Sequence, residues 1–363
     1  MKKDCNLTRA NARKNLKVIA AFIFTLTALQ SCQKNEKLLP NKIEKNAVAK
    51  NKLSAASVAD LYEVSTFFQG YPALDNVFRL CKASDNTLYA TSAVAGKVYK
   101  ITNTAVVSDL ATFPWQSNLI GIKAGEQGTV YVAVYAENKI VKIDKNGKKT
   151  TVQVSIGLNK PSDVAIGPDS TLYITDQGNR RIVKVTKNGV ASILAGKTGV
   201  AGDTDGKGGN ARFVYASNIR YAADNTLWVL DADPKTLIFG KSLRKITLDG
   251  TVTTFYKITK LGVQTGMIDF APAKKDKNFE PASKENFFLI THNVTNEGQF
   301  EYKISHLSSA KVETTIMPYR EPGYQDGPAD QAILSGPSGI AITSSGIFLA
   351  DANSAIRKIS RKL

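Results

Sequence analysis

Two histidines, His292 and His306, and three cysteines, Cys5, Cys32 and Cys81, are all that this 363-residue chain offers for imidazole or thiol chemistry. Both histidines fall in its least regular part, so a His-based metal site lacks ligands. No G-x-S-x-G elbow occurs and Cys81 has no evident His partner, so a nucleophile–base pair is not supported either. What remains is carboxylate, amide and cationic chemistry. Six such residues, Arg79, Lys123, Asp163, Asn218, Arg220 and Asp269, stand inside short apolar runs that recur along the chain. Whether they meet depends on what those runs build.

With Leu172 of "TLYITD" as anchor, counterparts occur at Leu88 ("TLYATS"), Val130 ("TVYVAV"), Leu227 ("TLWVLD"), Phe288 ("FFLITH") and Ile347 ("GIFLAD"). The intervals are 42, 42, 55, 61 and 59 residues, a repeat stretched by insertions. A strand-like run precedes each anchor ("FRLCKA", "IGIKAG", "SDVAIG") and another follows it ("GKVYKI", "NKIVKI", "RRIVKV"). The turns "DKNG", "TKNG" and "TLDG" close hairpins into a fourth run, and Asn-Gly or Asp-Gly between alternating segments is a strong hairpin signal. Six four-stranded antiparallel meanders predict an all-β, six-bladed β-propeller. The last copy, "AIRKISRKL", stops at a third strand, while Leu61–Gly70 reads as a fourth strand with none before it. Pairing the two closes the ring and removes its open sheet edges.

The stretch "PSDVAIGPDSTLYITDQGNRRIVKV" resembles the NHL-repeat β-propellers, with their Pro-x-Gly-Val-Ala opening, Leu-Tyr-Val-x-Asp strand end and Asn-x-Arg-Ile turn. The linkers "AGKTGVAGDTDGKGGNARFVYASNI" and "PGYQDGPADQAILSGPSGI" match that family's Asp-Gly-containing connector. The resemblance spans Leu61 to Leu363, strongest in blades three, four and six and poor in blade five. It implies the fold and does not fix an activity. "DTDGKGGNA" lacks the spaced acids of a Ca²⁺ loop and reads as connector.

Strand phase then places the polar residues. Leu80, Ile122, Val164, Ile219, Ile268 and Ile340 share one aliphatic position of the innermost strands, so their neighbours turn toward the axis. One layer holds Arg79, Gly121, Asp163, Asn218, Met267 and Gly339; the other holds Cys81, Lys123, Ala165, Arg220, Asp269 and Ala341. Arg79, Lys123, Asp163, Asn218, Arg220 and Asp269 are thereby expected in a central channel. Three readings stand open. The cluster is a self-satisfied ionic lining, a site for an anionic or sugar-like ligand, or a Ca²⁺ site using Asp163, Asn218 and Asp269, as in the similar gluconolactonase-like enzymes. Three nearby cations and the lack of a Glu weigh against the metal. Neither a metal nor a cofactor is assigned. Asp176, Asp231 and Asp351 end second strands and are expected to cap the following turns.

Loops after second and fourth strands share one face, and most long ones lie there: "FPWQSN", the Gly196–Ser217 connector, "DADPKTLIFGKS", "THNVTNEGQFE" and "YREPGYQDGPADQAILSG". Trp115, Tyr215 and Tyr324 lie in them, and with the channel residues they form the expected contact surface for a protein, peptide or glycan ligand.

The ends bear on location. Residues 1–32 join six basic residues, the apolar run "VIAAFIFTLTAL" and "LQSC", which resembles a bacterial lipobox with Cys32 as the acylated residue. Residues 33–58 are polar and Lys/Asn-rich, a tether before a propeller at 59–363. Leader and tether contribute +5 and +4, so of the formal +17 the globular part keeps 17 − 5 − 4 = +8. That is compatible with anionic lipid or glycan and does not point to nucleic acid. The expectation is a monomeric, lipid-anchored binding or scaffold module of a Bacteroidetes-like cell envelope, with Gln33 favouring the outer membrane. The alternative is a Ca²⁺-dependent hydrolase or lactonase using the channel acids.

Overall fold

The computed structural model describes residues 59–70, 76–232, 240–259, 264–273, 286–352 and 354–362. The leader, Cys32 and the tether lie outside them, as does most of "DADPKTLIFGKS".

Alternating apolar runs and tight turns give four antiparallel strands per unit, in sequence order within four of the six sheets. In blade 1, Val77–Lys82, Leu88–Ser92, Lys97–Ile101 and Val107–Thr112 run from the axis outward. Blade 2 spans Leu119–Ala124 to Lys149–Thr151, blade 3 Pro161–Ile166 to Ala191–Gly196, and blade 4 Ile219–Tyr221 to Thr251–Lys257. Blade 5 runs from Gln264–Pro272 to Glu313–Arg320. Blade 6 is composite. Gly339–Thr343, Gly346–Asp351 and Ala355–Arg361 are completed by Tyr62–Gln69 from the other end of the sequence, with Val64 opposite Ile359. The expected six-bladed propeller, closed by its N-terminal strand, is what the chain forms.

Each blade buries both faces against its neighbours, and the apolar core divides accordingly. The described residues form six buried clusters, one per seam. Leu80, Ala90, Ala341, Phe348 and Ile356 fill the seam between blades 6 and 1, which would be empty in an open array. Turn glycines let the blades approach. Gly147 and Gly250 hold φ of 84° and 86°, and a Cβ on either would lie 2.4 Å from the carbonyl oxygen of Leu110 or Leu194 in the preceding blade.

Two of the expected irregular loops are more ordered than sequence suggests. "THNVTNEGQFE" is mostly the extended hairpin of Phe287–Val294 and Phe300–Leu307, turning at Thr295–Gln299. The Asp-Gly connectors add a short fifth strand to two blades: Gly206–Lys207 pairs with Thr251–Lys257, and Gly327–Pro328 with Tyr62–Gln69.

Candidate functional site

The inner strands reach the axis through irregularities. Register shifts between Val77 and Arg79, Pro161 and Asp163, and Met267 and Asp269 each insert an extra residue, which re-aims the next side chain. Gly121 and Gly339 do the complementary work. A Cβ at Gly121 would sit 2.3 Å from an Asp163 oxygen, and one at Gly339 would sit 2.8 Å from the Leu80 nitrogen.

Four of the six polar residues meet in one network. Arg220 Nη1 lies 2.5 Å from Asp163 Oδ2 and its Nη2 2.6 Å from Asp269 Oδ1, while Asn218 Nδ2 donates to Asp269 Oδ1 at 2.9 Å. Each carboxylate also accepts backbone N–H groups from two blades. Asp163 takes Val164 and Ile219, and Asp269 takes Phe270 and Ile340, at 2.8–3.1 Å. The identical bonding makes Asp163 and Asp269 equivalents. The assignment of Asp269 to the other layer, with Ile268 at the aliphatic position, is therefore corrected. The register shift is the same one that precedes Arg79 and Asp163. Phe270 rather than Ile268 is the counterpart of Val164, and Phe287 rather than Phe288 that of Leu172, so the expected alignment runs one residue out of phase; Ile268 is only partly buried.

Arg79 donates to the Ser338 carbonyl across the seam between blades 1 and 6 and lies 4.2 Å from the Phe78 ring. Burial lowers its pKa, with Asp269 and Asp163 acting in the opposite sense. Burial also works against the charge of Arg220, but Asp269 and Asp163 outweigh it and hold the guanidinium charged. Lys123 lies close enough to Cys81 to act on its thiol, which burial pushes up to about 12.

These residues do not fit a Ca²⁺ ion at Asp163, Asn218 and Asp269. A guanidinium already occupies the space between the acids, all four carboxylate oxygens accept hydrogen bonds, and the Asn218 amide donates rather than offering its oxygen. Among the described residues no three His, Cys, Asp or Glu side chains could together hold a metal.

The aromatic residues lie apart from this hub, on the connectors of the long-loop face. Trp115 is 54% exposed, on the short 3₁₀ turn Trp115–Ser117, which the Ser117 hydroxyl ties to Glu137 at 2.5 Å. Tyr215 packs under the Arg180 guanidinium at 5.0 Å. Tyr135 and Gln177, which sequence reading missed, link these regions: Tyr135 donates to Gln177, whose amide donates to the Ala216 carbonyl. Tyr324 is 37% exposed, lies 4.4 Å from the Arg357 guanidinium and shares a hydrogen bond with Thr66.

A second set unseen in sequence holds these connectors. Arg181, Arg244 and Arg357, each near the start of a third strand, pair with the buried Asp176, Asp231 and Asp351 at 2.7, 3.1 and 3.3 Å. Those acids were expected to cap the following turns. Instead they mainly grip the incoming connector: Asp176 accepts Asn159 N–H, Asp231 accepts Val214 and Tyr215, and Asp351 accepts Ser335 and Gly336. Burial raises Asp231 to about 6 despite Arg244. Asp205 and Asp326, of the two Asp-Gly connectors, pair with Arg244 and Arg357 and accept Thr254 and Thr66 N–H. The recurrence of Asp, Arg and Asp-Gly in the same blades was the available signal.

No protein-family model matches the chain, and no curated protein matches it. Solved structures do. Virginiamycin B lyase from Staphylococcus aureus, crystallised with quinupristin, is 16% identical with a TM-score of 0.55, over 83% of this chain and all of that one. A gluconolactonase from Xanthomonas campestris is 12% identical with a TM-score of 0.54, over 85% of this chain and 93% of its own. At such identity the likeness is one of fold: a six-bladed β-propeller.

Proposed function

We propose that this chain is an NHL-type, lipid-anchored binding or scaffold module of the bacterial cell envelope, whose ligand surface is the long-loop face. The observation that carries the reading is the division of labour between channel and connectors. The channel acids are consumed by Arg220 and backbone amides, whereas exposed or half-exposed aromatics stand on pinned connectors, those of Tyr215 and Tyr324 held by buried Asp–Arg pairs and that of Trp115 by the Ser117–Glu137 hydrogen bond. Rigid aromatics lose little entropy on contact and offer stacking area, which suits a glycan or peptide. In this reading Trp115, Tyr215 and Tyr324 make contact, Arg79, Asp163, Asn218 and Asp269 stand at the channel level nearer that face, and Arg220 and Lys123 lie beneath them.

The Asp–Arg pairs fall in blades 3, 4 and 6, where the NHL resemblance is strongest, which supports the family reading. Anchoring rests on the leader and "LQSC" alone. Cys32→Ser is expected to abolish acylation and release the protein from membranes; unchanged membrane fractionation refutes the anchor. The binding reading is tested by screening the purified chain against envelope glycans and peptides while measuring bound metal. Saturable binding without metal is expected, whereas one tightly held Ca²⁺ per chain favours a lactonase-like enzyme.

A further inference from the structure

The face opposite the long loops bears a repeated feature that the core does not require. On its outer rim, the residue just before the fourth strand is an exposed aliphatic in four blades. Val106, Val190 and Val312 are 60%, 63% and 59% exposed, and Leu61, at the same place in blade 6, is 40% exposed. Single exposed apolar residues are ordinary, but recurrence at one structural position is a pattern. In blade 2 that position is Lys148, and the blade 4 turn shows Leu248 instead.

The same tips are basic, with Lys145, Lys148, Lys187 and Lys311 exposed. Of the acids among them, Asp144 accepts two N–H groups of its own turn and Asp249 pairs with Lys207 at 2.8 Å, while Asp60, beside Leu61, is exposed. Nearer the axis, Asp85, Asp169 and Asp224 fold back on the threonine two residues ahead, and Glu126 is exposed. Tyr62, where the N-terminal strand begins, lies on this same face because fourth strands start there.

We propose that this rim docks on an anionic lipid surface, its aliphatic tips entering the headgroup layer and its lysines facing the lipid charges, so that the long-loop face points away from the membrane. Aliphatic tips beside lysines combine the apolar and electrostatic terms of interfacial binding. The proposal rests on the anchor for delivery to the membrane, since a flexible tether alone fixes no orientation.

The test uses the full mature chain, reconstituted in vesicles of phosphatidylcholine alone or with phosphatidylglycerol. An environment-sensitive fluorophore is placed at Val190→Cys or, on the long-loop face, at Gln116→Cys; Cys81 is buried with a suppressed thiolate and stays unlabelled. With phosphatidylglycerol the probe at 190 is expected to shift blue and be quenched by nitroxide lipids, while the probe at 116 stays water-like. Replacing Lys145, Lys187 and Lys311 together by Glu should weaken this response at least tenfold. A water-like probe at 190, or equal responses at both sites or with both lipids, overturns the proposal. Mass spectrometry of the Cys32 peptide separates the two ideas. An acylated chain with a water-like probe at 190 refutes docking and spares the anchor. A chain found unacylated refutes the anchor, and docking is then read on a Cys32→Ser background, where position 190 carries the label and a response supports docking.

Discussion

Arg220 stands between two buried carboxylates, and truncating it leaves both without their ion-paired guanidinium. Breaking a buried pair from one side costs about 3–5 kcal/mol. Arg220→Ala is therefore expected to lower the denaturant midpoint sharply, before any question of ligand arises; a wild-type midpoint would remove the cluster's structural role. His292 sets a pH dependence. Burial, with Lys241 nearby, lowers its pKa to about 4. The fold holds it neutral while the unfolded chain protonates near 6.5, so its contribution is present above 6.5 and is lost as pH falls to about 4. The loss is at most about 3 kcal/mol, since one pKa unit is 1.36 kcal/mol. Melting curves from pH 7.5 to 4.5 should fall less steeply for His292→Gln than for the parent; parallel curves would contradict this. The channel polar set was legible in the sequence because period-2 alternation assigns a face. The exception was Asp269. Two phenylalanines stand side by side at the anchor of its blade, and it is Phe287, facing Pro272 as Leu172 faces Ile166, that sets the phase, so counting from Phe288 displaces the inner strand by one residue.

At the scale of elements, the blades were readable from anchors and turns, and the closing strand from an unpaired run at each end. The connectors were not, because their order comes from partners far away in sequence. Asp205 meets Arg244, and Asp326 meets both Arg357 and Thr66, the last 260 residues distant. Closure is testable by deletion. Removing residues 62–69 strips the outer ladder of blade 6 and exposes the edge of Ala355–Arg361, so the melting temperature is expected to collapse. Removing residues 33–57 should leave it nearly unchanged. Comparable losses from the two deletions would mean that the ring is not held by this pairing.

At the scale of the whole molecule, the two faces differ in kind among the described residues: short basic and aliphatic tips on one, long pinned connectors with aromatics on the other. The second face is the one proposed to bind. The direct measurement is the affinity for a glycan or peptide recovered in the screen, by calorimetry, for the parent, Trp115→Ala and Asn103→Ala, an exposed turn residue of the opposite face. A loss of tenfold or more, about 1.4 kcal/mol, is expected for Trp115→Ala with an unchanged melting temperature, and parental affinity for Asn103→Ala. Parental affinity in Trp115→Ala together with a loss in Asn103→Ala would place the functional surface on the other face and contradict the account.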